Sequence, residues 1–256
     1  MNSSSQLLTP ALSPNIAFNG VFPIEFVCLA IESAKHSPQY RFPRGRQGGP
    51  WKTVHSSFKI RHHPTHLNNF VVILEGRLEG DHALGLEFDS PTEAYSCQPF
   101  KLLGSEELGF ESFIPDFVVY PFNAPAYLVD CKPKSVAEAK IHKDRHKVLK
   151  KALELYGVEL KIETDDIIKQ QPRLNTYKFL YTALSAHKEE LIDACRQVIQ
   201  ATVKLGGSTD VKELRYLGDE VVRRGIAYGL SVGALDSDFD IEYGPNALIR
   251  ITTNKE

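Results

Sequence analysis

The sequence predicts an α/β (α+β) protein, with a central mixed sheet flanked by helices and a small winged-helix-like C-terminal domain. Three observations predict this class. Short apolar runs separated by turn residues indicate strands between residues 94 and 132. A long amphipathic pattern with start and stop signals indicates a helix over residues 136–156. Beyond residue 167, helical patterns are followed by a strand–turn–strand pattern.

The composition is typical of a globular protein. The chain has 256 residues, of which 42% are hydrophobic and 24% charged, so it is long enough for one large or two modest domains. The formal net charge is −2. A protein that binds DNA by itself usually carries a basic excess, because neutralising phosphates drives its affinity. If this chain acts on DNA, we expect a partner to deliver that DNA.

Membrane, secretory and disulfide-framework classes are disfavoured. No apolar stretch approaches the roughly 20 residues of a membrane span, and the N-terminus does not resemble a signal peptide. The cysteines lie far apart without a C-x-x-C pair, which is typical of reduced thiols: Cys28, Cys97, Cys131 and Cys195. We therefore expect a cytoplasmic protein with no membrane partner.

The chain divides into three predicted segments: an N-terminal arm (1–38), a core domain (39–166) and a C-terminal domain (168–256). The first twenty residues are polar and proline-spaced, which is typical of a loose arm. Residues 39–66 are rich in basic residues, glycine and proline, and predict irregular structure or short strands. Arg44 and Arg46 in this stretch lie either in a phosphate-contacting arm or in a solvated loop.

Within the core domain, a weak helical pattern covers Leu67–Phe88, although two internal glycines disfavour it. Apolar runs then predict the strands Ala94–Leu103, Ser112–Tyr120 and Ala126–Lys132. Pro and Asn in residues 121–125 predict a turn that joins the last two strands as a hairpin.

The long predicted helix covers Val136–Tyr156 and precedes a strand at Val158–Glu163. Ser135 and Glu138 have capping-box spacing at its start, and Gly157 stands at its end. An inward stripe is predicted for Ile141, Val148, Leu149, Ala152 and Tyr156. Lysines on another face form either a solvated surface or one that follows phosphates: Lys140, Lys143, Lys147, Lys150 and Lys151.

The C-terminal domain is predicted to contain three helices and a terminal hairpin, the pattern of a winged helix. The helical patterns cover Leu174–Leu184, Lys188–Leu205 and Val211–Arg224. The strand-like stretches are Phe239–Tyr243 and Ala247–Thr252, with Gly244–Asn246 as the turn between them.

Charged residues interrupt the two apolar strands of the predicted hairpin. Asp116 interrupts the first strand, Ser112–Tyr120, and Asp130 and Lys132 share one face of the second because strand side chains alternate. Pairing the strands brings Asp116 close to the other two. Two carboxylates facing one cavity suit Mg²⁺ or Mn²⁺, and a neighbouring lysine can hold or deprotonate an attacking water. The alternative is an Asp–Lys salt bridge without a metal.

Nucleases with this pattern usually take a further acid from a preceding helix. Glu75, Glu79 and Glu87 have spacings that place them roughly on one helical face. Spacing alone does not choose among them.

In order, the motifs Glu79–Asp89, Tyr95–Phe100, Pro115–Phe117 and Val129–Lys134 resemble the TnsA family. TnsA proteins are the endonuclease subunits of heteromeric cut-and-paste transposases and have a PD-(D/E)xK, restriction-endonuclease-like core. The similarity covers about residues 60–185 and extends through Ile162–Ile167.

The resemblance implies specific roles. It matches Glu79 to the helix glutamate, Asp116 to the first strand acid and Lys132 to the lysine; Asp130 stands where the best-known TnsA has glutamine. Asp116, Asp130 and Glu79 then hold Mg²⁺, with Mn²⁺ as a substitute. The implied reaction is hydrolysis at the 5′ side of transposon ends in the bacterial cytosol. The implied partners are transposon-end DNA, a TnsB-like transposase and a TnsC-like ATPase regulator.

Lys134, Lys143 and Lys147 join the two arginines of the N-terminal stretch as candidate DNA contacts. Cys131 is expected to be a core thiol on the opposite face of its strand. Two other functions remain open: a stand-alone nuclease of restriction or junction-resolving type, and a non-catalytic winged-helix regulator that binds DNA or protein.

Overall fold

The computed structural model describes residues 20–35, 58–61, 71–74, 76–88 and 92–252. The helices are α1 (Val27–Lys35), α2 (Arg77–Phe88), α3 (Lys134–Ala137), α4 (Lys140–Glu154), α5 (Asp165–Ile168), α6 (Arg173–Ala183), α7 (Lys188–Lys204) and α8 (Asp219–Ser231), with 3-10 helices at Ile24–Phe26 and Val211–Leu217. The strands are β1 (Val21–Pro23), β2 (Phe58–Arg61), β3 (Val71–Leu74), β4 (Thr92–Cys97), β5 (Lys101–Leu103), β6 (Ser112–Phe113), β7 (Phe117–Pro121), β8 (Tyr127–Lys132), β9 (Glu159–Thr164), β10 (Ser208–Asp210), β11 (Leu235–Ser237) and β12 (Leu248–Ile251).

The first half of the molecule is built on a four-stranded mixed sheet in the order β4-β7-β8-β9. Strands β4, β7 and β8 are antiparallel neighbours, whereas β9 runs parallel to β8. A parallel neighbour requires a crossover connection, and α3 and α4 supply it. The α+β class with a mixed sheet is thereby confirmed.

Helices cover both faces of this sheet. Apolar residues of α1 and α4 share one buried cluster with Val118, Tyr120 and Leu128, which lie on one face. Residues of α2 share a second cluster with Val119 and Val129, on the opposite face. The alternation of side chains along β7 and β8 therefore divides two cores between two helical layers.

The predicted N-terminal arm is wrong for residues 21–35. Strand β1 pairs in parallel with β5, and α1 packs into the first core cluster. Tyr120 donates its hydroxyl hydrogen to the Ile31 carbonyl at 2.7 Å, and Ser96 donates to the Ala34 carbonyl at 2.8 Å. The apolar run at residues 26–31 is thus a covering layer for the sheet. Residues 1–19 lie outside the described residues.

Two helix predictions in this half are also wrong in extent. The predicted helix Leu67–Phe88 begins only at Arg77, and the β-branched run at residues 71–73 forms β3 instead. The predicted helix Val136–Tyr156 is divided at Ala139, which has an extended ψ of 135°. Its proposed capping box does not start α4. Asp165 accepts the Lys134 N–H at 2.7 Å and thereby holds the short α3 by a tertiary contact.

The inward stripe of α4 is partly confirmed. Leu149 and Ala152 are buried, and Leu153 joins them. Ile141 is 75% exposed, so its assignment to the stripe is wrong. Ile141 lies in the first turn of α4, directly after the break at residue 139. Gly157 follows α4 with a φ of 70°, the left-handed conformation that a helix-ending glycine favours.

The C-terminal half contains α6, α7 and α8 and an antiparallel sheet in the order β10-β12-β11. The prediction of one continuous helix over Val211–Arg224 is wrong. Gly218, with a φ of 95°, separates a 3-10 helix from α8. The predicted strand Phe239–Tyr243 is also wrong. β12 pairs with β10 and β11 instead, while Phe239 packs on Tyr177 with ring centroids 4.9 Å apart.

Helix α8 extends seven residues beyond its predicted end at Arg224, to Ser231, and contains two glycines in that extension. A Cβ at Gly225 would lie 2.5 Å from the Ala194 carbonyl of α7. A Cβ at Gly229 would lie 2.5 Å from Leu235 of β11. Glycine normally disfavours a helix interior, but here it permits the close approach of neighbouring elements.

Helix α2 joins the two halves. Its last residue, Phe88, belongs to the core cluster of the C-terminal half and stacks on Tyr177 of α6 at 5.4 Å. Lys178 of the same helix forms a 2.8 Å ion pair with the buried Asp81 of α2. No helix in the described part of the chain is both long and apolar enough to cross a membrane.

Phe88→Ala should lower the free energy of unfolding by about 3–5 kcal/mol, because it removes a buried ring between the two halves. Phe88 is 3% exposed. The control is Ile141→Ala in α4, where the side chain is 75% exposed and the expected change is within about 0.5 kcal/mol. Urea unfolding measures both. Equal effects of the two substitutions would contradict the packing described above.

Candidate active site

The predicted hairpin is confirmed as β7 and β8, although the predicted strand Ser112–Tyr120 is wrong in extent, because its first residues form β6 in another sheet. The hairpin brings Asp116 to the chain around Asp130 and Lys132. In the β7–β8 register Phe117 lies opposite Val129. Asp116 comes directly before β7, and its N–H donates to the Val129 carbonyl at 2.9 Å. The charged ends of the two strands therefore meet at one end of the sheet.

The Lys132 ammonium lies among three oxygen atoms. Its Nζ is 2.6 Å from Asp130 Oδ1, 3.4 Å from Asp116 Oδ2 and 3.1 Å from the Cys131 carbonyl oxygen. The two aspartate side chains are largely buried, where an unpaired negative charge is costly. The positive charge of Lys132 reduces this cost. These oxygens surround a single cationic group.

The position of Asp116 is also fixed by backbone groups. Its Oδ2 accepts the Cys131 N–H at 2.7 Å. Its carbonyl accepts the Gln98 N–H at 2.8 Å. Gln98 has a φ of 41°, in the left-handed region that residues other than glycine rarely adopt. The corner between β4 and β5 thus supports Asp116 through a strained residue that the sequence reasoning did not identify as functional.

His146 is a second residue that the sequence reasoning missed. It lies on the sheet-facing side of α4, and its Nε2 is 3.0 Å from Asp130 Oδ2. A signal was present, since positions 146, 149 and 153 have the spacing of one helical face. A histidine in line with two buried leucines indicates a polar partner on the sheet.

The two aspartates differ in their pKa values. Burial raises the pKa of Asp116 to about 8; the Lys132 charge opposes this, and Asp130 and Glu79 reinforce it. Burial also acts to raise the pKa of Asp130, but the hydrogen bond with His146 and the Lys132 charge outweigh it and lower that pKa. The metal-free site therefore holds one carboxylate firmly ionised beside one that retains a proton near neutral pH.

Lys132 and Cys131 face different surroundings. Burial acts to lower the pKa of Lys132, but Asp116 and Asp130 outweigh it and raise that pKa, so the side chain is an ammonium. Cys131 lies in the core cluster on the α2 side of the sheet, where burial raises the pKa of its thiol. The prediction that Cys131 is a buried core thiol on the opposite face is confirmed.

Of the candidate helix acids, Glu79 is electrostatically linked to the site. It lies in the first turn of α2, and its charge raises the pKa of Asp116. Glu87 lies two turns later and accepts a 2.7 Å hydrogen bond from the buried Tyr95 hydroxyl. Glu75 lies outside the described residues. The position of Glu79 also suits the positive end of the helix dipole.

Asp116 and Asp130 fit a hard divalent cation better than any other pair at this site, because carboxylate oxygens are its preferred ligands. Their oxygens already converge on one cation, the Lys132 ammonium. Among the described residues, no group of three His, Cys, Asp or Glu side chains is gathered around one position. The predicted third ligand, Glu79, therefore does not join the two aspartates in such a group.

The predicted DNA contacts fall in different places. Lys143 and Lys147 line a groove of ≈ 690 Å³ beside α4, together with Lys150, Lys151 and His146. Lys134 is exposed but forms a 2.7 Å ion pair with Asp166. Arg44 and Arg46 lie outside the described residues. Two of the five predicted contacts thus belong to one basic groove that reaches the site through His146.

Comparison with protein-family models gives no match to this chain, and no curated protein matches it either. The geometry of the site therefore carries the functional argument.

Asp116→Asn should stabilise the metal-free protein at alkaline pH. The pKa of Asp116 is raised in the folded state, so its contribution to stability is fully present below the unfolded-state pKa near 4 and is lost as the pH rises through about 8. Asparagine stays neutral and removes this loss. We expect the variant to gain on the order of 4 kcal/mol relative to the parent between pH 5 and pH 9.

Chemical unfolding in the presence of a chelator measures this difference at each pH. Asp144→Asn, on the exposed side of α4, is the matched control and should leave the difference unchanged. A gain for Asp116→Asn that is the same at pH 5 and pH 9 would contradict the raised pKa.

Proposed function

We propose that the protein is a Mg²⁺-dependent DNA endonuclease of TnsA type, which hydrolyses the phosphodiester at the 5′ side of transposon ends. The observation that carries this proposal is the convergence of Asp116, Asp130 and Lys132 at one end of the β7–β8 hairpin. Two buried carboxylates and a lysine are the groups that metal-assisted phosphodiester hydrolysis requires.

We further propose that the four-stranded mixed sheet, with α1 and α4 on one face and α2 on the other, is a restriction-endonuclease-like core. We assign α6–α8 and the sheet β10-β12-β11 to a winged-helix-like domain. In that assignment β11 and β12 form the wing.

Asp116 and Asp130 would hold the ion, with Glu79 adding negative charge to the same region. Bound Mg²⁺ lowers the pKa of an attacking water and stabilises the charge that develops on the phosphate. Asp116 gives up its proton when it takes part in binding, because only the carboxylate is an effective ligand.

Lys132 supplies the positive charge of the site. It is an ammonium in contact with both aspartates. With an ion held by those aspartates, the ammonium would orient the attacking water or donate to a phosphate oxygen. Its loss should therefore abolish cleavage without abolishing ion binding.

The groove beside α4 supplies a path for DNA. Four exposed lysines line it, with Glu154 as the one acid among its lining residues. A local basic surface in a chain of net charge −2 suits a strand that a partner delivers. We assign that delivery to a TnsB-like transposase that cuts and joins the other strand and to a TnsC-like ATPase regulator.

Asp116→Ala, Asp130→Ala and Lys132→Ala should each reduce cleavage at least about 1000-fold, because each removes a group that contacts the ion or the reacting phosphate. The assay is strand-specific cleavage of plasmid carrying the ends of the encoding element, with its transposase and Mg²⁺. Cys131→Ala, between two of these residues, should retain cleavage.

Undiminished cleavage in the Asp116 or Lys132 variant would refute the assignment. Cleavage of plain duplex DNA by the protein alone would favour a stand-alone nuclease instead. Mn²⁺ titration separates chemistry from ion binding, since Lys132→Ala should bind the ion at least as tightly as the parent.

The double substitution Lys143→Ala/Lys147→Ala should weaken DNA binding and reduce its salt dependence. Each lost phosphate contact lowers the slope of log K against log salt by about 0.9, so the slope should change by about 2. Fluorescence anisotropy with duplex DNA between roughly 50 and 200 mM salt measures it. Lys204→Ala, an exposed lysine on α7, is the control and should leave the slope unchanged.

A further inference from the structure

His146 is a polar residue in an apolar position. It is 8% exposed and lies on the side of α4 that buries Leu149 and Leu153 against the sheet. A leucine at this position would need no partner, whereas a buried imidazole loses free energy unless its nitrogens are hydrogen-bonded. Its Nε2 lies 3.0 Å from Asp130 Oδ2.

This contact completes the hydrogen bonding of the Asp130 carboxylate. Oδ1 accepts from Lys132 at 2.6 Å, and Oδ2 accepts from His146. A carboxylate only accepts hydrogen bonds, so His146 Nε2 carries the hydrogen. One bond on each oxygen fixes the plane of the carboxylate, and each oxygen keeps a lone pair for a cation.

The two contacts of Asp130 respond differently when an ion arrives. Lys132 lies on the same strand and bonds the same side of the site as Asp116, so it competes with the ion. His146 comes from a separate element and holds the other oxygen from the α4 side. The His146 contact would therefore still hold Asp130 if the lysine were displaced.

We propose that His146 is a positioning residue that holds Asp130 in the orientation needed to bind the divalent ion. The proposal rests on the metal-dependent function proposed above. Partners that orient a metal ligand without touching the metal typically contribute 10–100-fold to affinity. His146 also lines the lysine groove, so it connects the ion-binding carboxylate to the surface assigned to DNA.

The test is Mn²⁺ binding to the full chain, followed by electron paramagnetic resonance, with thermal unfolding of each variant as a check on folding. His146→Ala should bind Mn²⁺ at least about 10-fold more weakly than the parent. His146→Gln should restore most of the affinity, because its side-chain amide can donate from a similar position. His142→Ala is the matched control, one turn earlier on α4 with its ring 6.4 Å from that of His146.

Parent-like Mn²⁺ affinity in folded His146→Ala would overturn the proposal. A loss that His142→Ala shares, or that His146→Gln does not reverse, would also overturn it, because the role would then be packing. Coupling of Mn²⁺ to a histidine nitrogen in the spin-echo spectrum would make His146 a ligand instead. If the folded parent protein itself does not bind Mn²⁺, the proposed nuclease function fails, and that result is distinct from parent binding that His146→Ala leaves unchanged.

Discussion

Two carboxylates lie largely buried at one end of a β-hairpin, and the ammonium of Lys132 is what allows them to be there. An unpaired buried charge is costly, and two like charges close together are costlier still. Lys132 contacts both Asp116 and Asp130, and burial of Asp116 raises its pKa so that it retains a proton near neutral pH. The site is therefore stable without an ion but has the oxygen ligands to accept one.

Elements on both faces of the sheet contribute groups that act on Asp116 and Asp130. Strand β9 runs parallel to β8, which requires the crossover through α4 and brings His146 to Asp130. Helix α2 covers the opposite face and places Glu79 where its charge acts on Asp116. The same helix packs on α6 through Phe88, so the C-terminal half contacts an element that also carries a site residue.

The site was more predictable than the fold around it. Alternation along β7 and β8 placed Asp130 and Lys132 on one face, and the turn at residues 121–125 brought Asp116 to them, because both signals are local. Errors occurred where distant contacts decide the structure. Residues 21–35 form a covering layer only because the sheet offers an apolar face, and α8 passes through Gly225 only because α7 approaches closely there. The short α3 that precedes α4 is held at Lys134 by Asp165, which lies 31 residues further along the sequence.

The sequence by itself determined the hairpin, its charged end and the buried side of Cys131, since strand period and turn chemistry are properties of neighbouring residues. Only the tertiary structure decided which groups surround that end. Gln98 supports Asp116 from the corner between β4 and β5, and His146 reaches Asp130 from α4, which begins after the break at Ala139. The pKa values of the two aspartates were decided in the same way, because burial and the distances to Lys132 and His146 exist only in the folded chain.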